Sequence, residues 1–336
     1  MKVLLLGGSG HIGSRLGALA RGSPGLELVS ASRHAAQGDA SLRLDVRDGA
    51  ALATALRGHD AAINCIAGDA GSIATGARLL AQAAAAAGCR RIIHLSTMSV
   101  YGAQEGDLDE QAPVDPSLGW YGRAKCEAER HIAAFADSGG SAVSLRPGCV
   151  WGPDSQLWVG RIGRWLRAGR LGDLGAAGDG WSNLVHVDDV CRAIIAALRL
   201  DLTSGGSRVF NLAAPDSPRW NDYFVDLALA IGATPVRHLR PQQLRVDAWV
   251  GGPVFKLGRS LLARARQPVQ LLPDPISPGL LGLWSRQLKL NADAATRDLQ
   301  VQWTPYKEVL RQSTDWFLQT GIAHRGKPVP VQPEQR

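Results

Sequence analysis

Nothing in this chain is built to cross a bilayer as a helix, because no apolar run reaches the ~20 residues such a span needs. The charged-then-apolar layout of a signal peptide is also missing, and Lys2–Leu6 reads at once as a strand. Cysteine is sparse: Cys65, Cys89, Cys126, Cys149 and Cys191 are scattered, with no metal-ligand spacing among them. That distribution argues against a disulfide framework and against a structural zinc site. It reads instead as small buried thiols in a reducing compartment, so the expectation is a cytoplasmic protein without a metal. Internal repeats are absent, and the alanine run Ala83–Ala87 is helix-forming rather than low complexity. No nucleic-acid-binding module is recognisable, so nucleic acid is not the expected partner. The formal net charge of +7 then reads either as a solvated basic surface or as the complement of a small anionic ligand.

What is present is alternation. Strand patterns at Lys2–Leu6, Leu26–Ser32, Ser41–Leu44, Ala61–Ile66, Arg91–Leu95 and Ala142–Leu145 alternate with helical patterns, notably Ala74–Ala87 and Tyr121–Ala136. This implies an α/β fold: a doubly wound parallel sheet with helices on both faces, and a smaller mixed C-terminal lobe. The expected division is 1–150 for the sheet domain and 151–326 for the second lobe, with interleaved returns to the sheet. Helices are expected at Val187–Leu200, Trp220–Ile231 and Tyr306–Gln319, with a strand at Arg208–Asn211. Residues 327–336 form a proline-rich tail expected to be disordered.

Three clusters carry chemistry. The first is Gly7-Gly8-Ser9-Gly10-His11-Ile12-Gly13, between the first strand and a helix over Ser14–Arg21. Gly7 permits a tight turn, Gly10 lets backbone approach a pyrophosphate at the helix N-terminus, and Gly13 allows close helix–strand packing. The second is Tyr121 and Lys125, one helical turn apart, so phenol and ammonium share a face. A nearby ammonium is expected to lower the phenol pKa toward a working acid/base range. The third is Leu95-Ser96-Thr97, which ends a strand. Gly7, Ser32, Asp45, Ile66 and Thr97 all fall at or just after strand ends, where such sheets bind ligands.

Together with Leu42–Val46, Asn64–Gly68, Ser99–Gly102, Leu145-Arg146-Pro147 and Val185–Val190, these motifs resemble the extended short-chain dehydrogenase/reductase family (epimerase/dehydratase-like) over most of the chain. The resemblance implies that Tyr121 is the acid/base, that Lys125 lowers its pKa and holds the nicotinamide ribose, and that Thr97 hydrogen-bonds the reacting oxygen, with Ser99 the alternative. It implies a dinucleotide held by Gly7, Ser9, Gly10, His11, Ile12, Gly13, Ser32, Arg33, Asp45, Val46, Cys65, Ile66, Ala67, Lys125 and Pro147. Asp45 can serve equally as the N-cap of the next helix. NAD-binding members carry an acid at the end of the second strand; here Ser32-Arg33 stands there, and Arg33 can bond a 2′-phosphate. NADP(H) is therefore expected ahead of NAD(H). Met98-Ser99 replaces the Asp-Glu of the 4,6-dehydratases, which argues against dehydration.

The leading expectation is reduction of a ketone, or the reverse oxidation of a secondary alcohol, on a small biosynthetic or lipid-like substrate. The alternatives are a nucleotide-sugar epimerase or reductase and a non-catalytic cofactor-binding regulator; an intact Tyr121 and Lys125 count against the last. A homodimer is a family expectation. His186, Asp188 and Asp189 read as structural rather than metal-binding. Trp151, Trp158, Trp165 and Trp181 suggest an apolar or ring-bearing substrate, and Trp151 and Trp284 are candidate substrate contacts. The basic and apolar insert at 235–290 has three readings: packing against the C-terminal lobe, a lid with Trp284 at the pocket mouth, or a patch on a membrane surface.

Overall fold

The computed structural model describes residues 1–33, 41–115, 117, 119–202, 205–264 and 274–320. The tail Lys327–Arg336 lies outside the described residues, as do His34, Pro268 and Pro273.

Seven strands form one parallel sheet: β1 (Lys2–Leu6), β2 (Glu27–Ser32), β3 (Ser41–Arg43), β4 (Ala61–Asn64), β5 (Arg91–Leu95), β6 (Ser141–Pro147) and β7 (Ser207–Leu212). Their spatial order is β7-β6-β5-β4-β1-β2-β3, and every neighbouring pair is parallel. The winding direction reverses between β1 and β4, which makes that boundary the topological switch point.

The central strands β1, β4, β5 and β6 are buried along nearly their whole length because both faces are covered, whereas the edge strand β3 is largely exposed. With a period of two, Val3 and Leu5 join one core and Leu4 and Leu6 the other. Ile93 and Ile92 divide in the same way. The first core is closed by helix α1 (His11–Ala20) and by helix Val187–Arg199, through Leu16, Val190, Ile194 and Leu198. The second is closed by α2 (Gly49–Leu56), α3 (Ala70–Ala87) and α4 (Gly119–Asp137), through Leu52, Leu56, Leu80 and Ile132. Each fully buried leucine contributes about 1.5–3 kcal/mol. The small side chains Ala77, Ala84, Ala124 and Ala128 let α3 and α4 approach closely.

The chain separates into two compact units. Unit 1 comprises Met1–Val150, Asn183–Ser217 and Leu288–Pro305; unit 2 comprises Trp151–Ser182, Pro218–Gln287 and Tyr306–Arg336. The returning segments of unit 1 are tied down by buried polar groups. The Asn183 amide donates to the Leu288 carbonyl at 2.8 Å and accepts from the Leu290 N–H at 2.9 Å. Leu288–Leu290 also pairs in parallel with Gly106–Leu108. Asp189, fully buried, accepts from the Thr304 N–H and hydroxyl at 2.9 and 2.7 Å and pairs with Arg192. Asp188 grips Arg15 of α1 at 2.5 and 2.7 Å. The two aspartates are thus occupied as tethers. Among the described residues no set of three His, Cys, Asp or Glu is placed to hold a metal ion, and no helix is long and apolar enough to cross a membrane.

Unit 2 is organised around aromatic rings. Trp151 stacks on Tyr306 (centroids 5.4 Å apart) and meets Tyr223 edge-on at 5.3 Å. Trp284 meets Trp165 and Phe224 edge-on at 6.2 and 5.3 Å, and Trp158 lies against Trp220 at 5.4 Å. Trp151, Trp165 and Trp284 are fully buried. Packing inside unit 2 therefore accounts for Trp151 and Trp284. In sequence, such rings give the same signal whether they line a pocket or fill a core.

Candidate active site

The carboxyl ends of β1, β2 and β4, with the segment just after β3, enclose a cleft of ≈ 160 Å³. Ten residues expected at a cofactor line it: Gly7, Ser9, Gly10, Ser32, Arg33, Asp45, Val46, Cys65, Ile66 and Ala67. Leu6, Ala31, Leu44 and Ser72 line it as well. The first three could have been anticipated from their places at strand ends. Ser72 could not, because it reaches the cleft from the first turn of α3, whose N-cap Asp69 accepts from its N–H at 2.9 Å and its hydroxyl at 2.8 Å. His11, Ile12 and Gly13 form the first turn of α1, and Pro147 ends β6, buried.

The glycine turn is sterically obligatory. Gly7 has φ +86°, and a Cβ there would stand 2.9 Å from the Cys65 carbonyl oxygen. A Cβ on Gly13 would stand 2.3 Å from the Gly7 carbonyl oxygen. The first turn of α1 holds no acid, and its N-cap Gly10 offers no side-chain cap. A backbone cradle at an uncapped helix N-terminus, with Arg33 on the rim, fits a dinucleotide phosphate.

Asp45 departs from one expectation. It is not the cap of α2; Asp48 is, accepting from the Ala51 N–H at 2.9 Å. Asp45 folds onto Arg47, whose N–H and guanidinium donate to it at 3.0 Å, and these bonds hold its carboxyl below the usual range. The Arg33 charge acts in the same direction.

The acid/base cluster lies where β5 meets the first turn of α4. Thr97 accepts from the Ser99 N–H at 3.2 Å, which caps the short helix Met98–Tyr101, and its hydroxyl donates to the Ser99 hydroxyl at 3.3 Å. The Tyr121 phenol lies near enough to the Thr97 side chain for that hydroxyl to act on its pKa. Gly122, which the sequence reading passed over, makes this approach feasible: a Cβ there would be 2.7 Å from the Ser99 carbonyl oxygen.

Lys125 behaves differently from the expectation. Its buried ammonium donates to the carbonyls of Leu95 at 2.6 Å and Ile66 at 3.1 Å. Burial brings its pKa down to about 8. The Tyr121 phenol, in turn, is raised by burial, with the nearby Thr97 side chain opposing. Two neutral groups complete the surroundings. His94, held at 3.1 Å by the Asn64 amide, is kept uncharged by burial and then by Lys125. The Cys65 thiol is pushed up to about 12 by burial, so it is no thiolate nucleophile.

Comparisons with known proteins agree with this geometry. Residues 3–213 match the model of the NAD dependent epimerase/dehydratase family. The chain is 32% identical over 266 residues to a 3-diazoavenalumate denitrifying reductase from Streptomyces, covering 71% of this chain and 84% of that protein. It is 27% identical over 361 residues to the 4-hydroxy-2-methyl-3-oxo-4-farnesyl-3,4-dihydroquinoline-1-oxide ketoreductase of Stigmatella aurantiaca, covering 97% and 98%. Among solved structures, MoeE5 in complex with UDP-glucuronic acid and NAD superposes with a TM-score of 0.70, at 22% identity and covering 95% of this chain and all of that one. At that identity the likeness speaks for the fold. Sheet order, glycine turn and Tyr-x-x-x-Lys cluster thus converge with the family match: the chain belongs to the NAD dependent epimerase/dehydratase family and is an NAD(P)-dependent oxidoreductase of the extended short-chain dehydrogenase/reductase type.

Proposed function

We propose that the protein is an NADPH-dependent ketoreductase acting on a small biosynthetic or lipid-like ketone. The observation that carries this reading is the buried Tyr121 phenol set near the Thr97 hydroxyl, which the Ser99 N–H fixes at the end of β5; burial pushes the phenol up, so it is protonated at neutral pH. Reduction of a carbonyl needs a proton donor at the oxygen, whereas alcohol oxidation needs a phenolate base. A protonated Tyr121 suits the reductive direction. The cofactor, when bound, supplies the hydride. Thr97 donates a hydrogen bond that polarises the carbonyl, and Tyr121 delivers its proton to the oxygen as charge develops there. Lys125, anchored on the Leu95 and Ile66 carbonyls, would meet the nicotinamide ribose. Gly7, Gly10 and Gly13 would take the pyrophosphate, and Ser32 with Arg33 the 2′-phosphate.

The two relatives described above support the reading, since one is named a reductase and the other a ketoreductase whose substrate name includes a farnesyl group. The test is ketone-dependent oxidation of NADPH over a panel of cyclic and prenylated ketones, with wild type and Tyr121→Phe. The variant should lose turnover while still quenching its tryptophan fluorescence with NADPH. Near-normal turnover in folded Tyr121→Phe would remove the mechanism. Tighter binding of NADH than NADPH by wild type would favour the epimerase alternative.

A further inference from the structure

The helical run of unit 2 from residue 241 to 264 carries apolar side chains on two sides. One side packs inward. Leu244 and Ala248 are buried, Arg170 grips Asp247 at 2.6 and 3.0 Å, and the same guanidinium stands 4.8 Å over the Phe255 ring. The other side is bare: Val246, Trp249, Val250, Val254, Leu257 and Leu261 are 54% to 67% exposed. From Val246 through Val250, Val254 and Leu257 to Leu261 the steps are four, four, three and four residues, the spacing that lines side chains along one helical face. Large apolar side chains exposed elsewhere among the described residues are scattered along the sequence, which is ordinary. Beside the stripe runs a groove of ≈ 640 Å³ whose walls include Val246, Val250 and Phe255. A contiguous exposed apolar strip of this kind marks a docking surface.

Charge selects the occupant. Residues 235–290 hold nine Lys and Arg against two Asp, a net of +7, and the whole chain is also +7. The rest of the molecule is neutral in sum, so the entire positive excess falls in the segment that bears the stripe. Its two acids are already engaged, Asp247 by Arg170 and Asp274 by Arg164 at 2.9 Å. A second copy of the chain would bring like charge to like. A tryptophan and an aliphatic stripe set among arginines and lysines is instead the composition of a helix lying in a lipid interface. We propose that residues 241–264 dock the protein on an anionic lipid surface, with Trp249, Leu257 and Leu261 entering the acyl boundary and exposed Arg245 at the headgroups.

The test is flotation of the full chain with vesicles of phosphatidylcholine alone and with vesicles doped with phosphatidylglycerol. Wild type should float with the anionic vesicles, stay behind with the neutral ones, and be released by salt. Trp249→Glu with Leu257→Glu should weaken vesicle binding at least about tenfold, and Arg245→Gln about fivefold, each with an unchanged melting temperature. Failure to float with either vesicle, equal flotation with both, or binding indifferent to the double substitution would overturn the proposal. A concentration-dependent dimer that Leu257→Glu dissolves, without vesicle binding, would assign the stripe to self-association and equally overturn it.

Discussion

At the scale of single residues, cofactor choice and protonation depend on Arg33 and Lys125. Arg33 lines the cleft where NAD-binding relatives place an acid. Arg33→Ala should weaken NADPH binding about tenfold to a hundredfold, the range for a hydrogen bond to a charged group, and leave NADH nearly unchanged. Parallel titrations of both cofactors measure this, and an equal loss for both would reduce Arg33 to general electrostatics. For Lys125 the sign is set by a pKa of about 8 against an ordinary value of 10.5. Below pH 8 the ammonium is charged; above it the charge is lost. Reductase kcat/KM should therefore fall as pH rises through about 8, and in Lys125→Arg, which stays charged, the residual activity should lack that limb. Stability runs the other way: between pH 8 and 10.5 the unfolded chain keeps a proton the folded chain has released, so stability rises with pH. That Tyr121 and Lys125 share one helix face was legible because their spacing, one turn of α4, is local. The partners of Lys125 were not, because the Leu95 and Ile66 carbonyls reach it only after β4 and β5 have aligned.

At the scale of elements, strand and helix identities followed from apolar periodicity, and the deviations have local causes. β4 stops at Asn64 rather than Ile66, because the Asn64 side chain accepts the Ile66 N–H at 3.1 Å and turns the chain off the ladder. The Leu145-Arg146-Pro147 motif was readable as a motif, but its reason lay in three dimensions. Arg146, at the end of β6, donates twice to Glu129 of α4 (2.7 and 2.9 Å) and once to the Tyr101 hydroxyl (3.0 Å), which contacts Asn211 of β7 at 2.7 Å. The pair is nearly buried, with side-chain exposures of 6% and 11%. Glu129→Ala leaves a buried guanidinium without its counter-ion and should cost about 3–5 kcal/mol. Urea unfolding of the variant checks this, and a loss within ±0.5 kcal/mol, the range for surface changes, would show that water replaces the carboxylate.

At the scale of the whole molecule, the early alternation of strands and helices made the parallel sheet legible. Which later residues return to it was hidden, because Asn183–Ser217 and Leu288–Pro305 are claimed by long-range partners such as the Asn183 amide. A fragment of residues 1–150 would lack β7 and helix Val187–Arg199, whose Val190, Ile194 and Leu198 close one core. It should give no cooperative thermal transition and should bind a hydrophobic dye; a sharp melt would show that six strands suffice. The discontinuity also sets a clock for synthesis. At roughly 5–20 residues per second, the ribosome needs on the order of 10–30 s to travel from Val150 to Pro305. Until Leu212 has been made, early in that interval, the sheet has an open edge and an uncovered face. The cofactor-cradling turn, among the first residues made, belongs to a unit that can be completed only near the end of translation, and for that time the nascent chain is a natural client for chaperones.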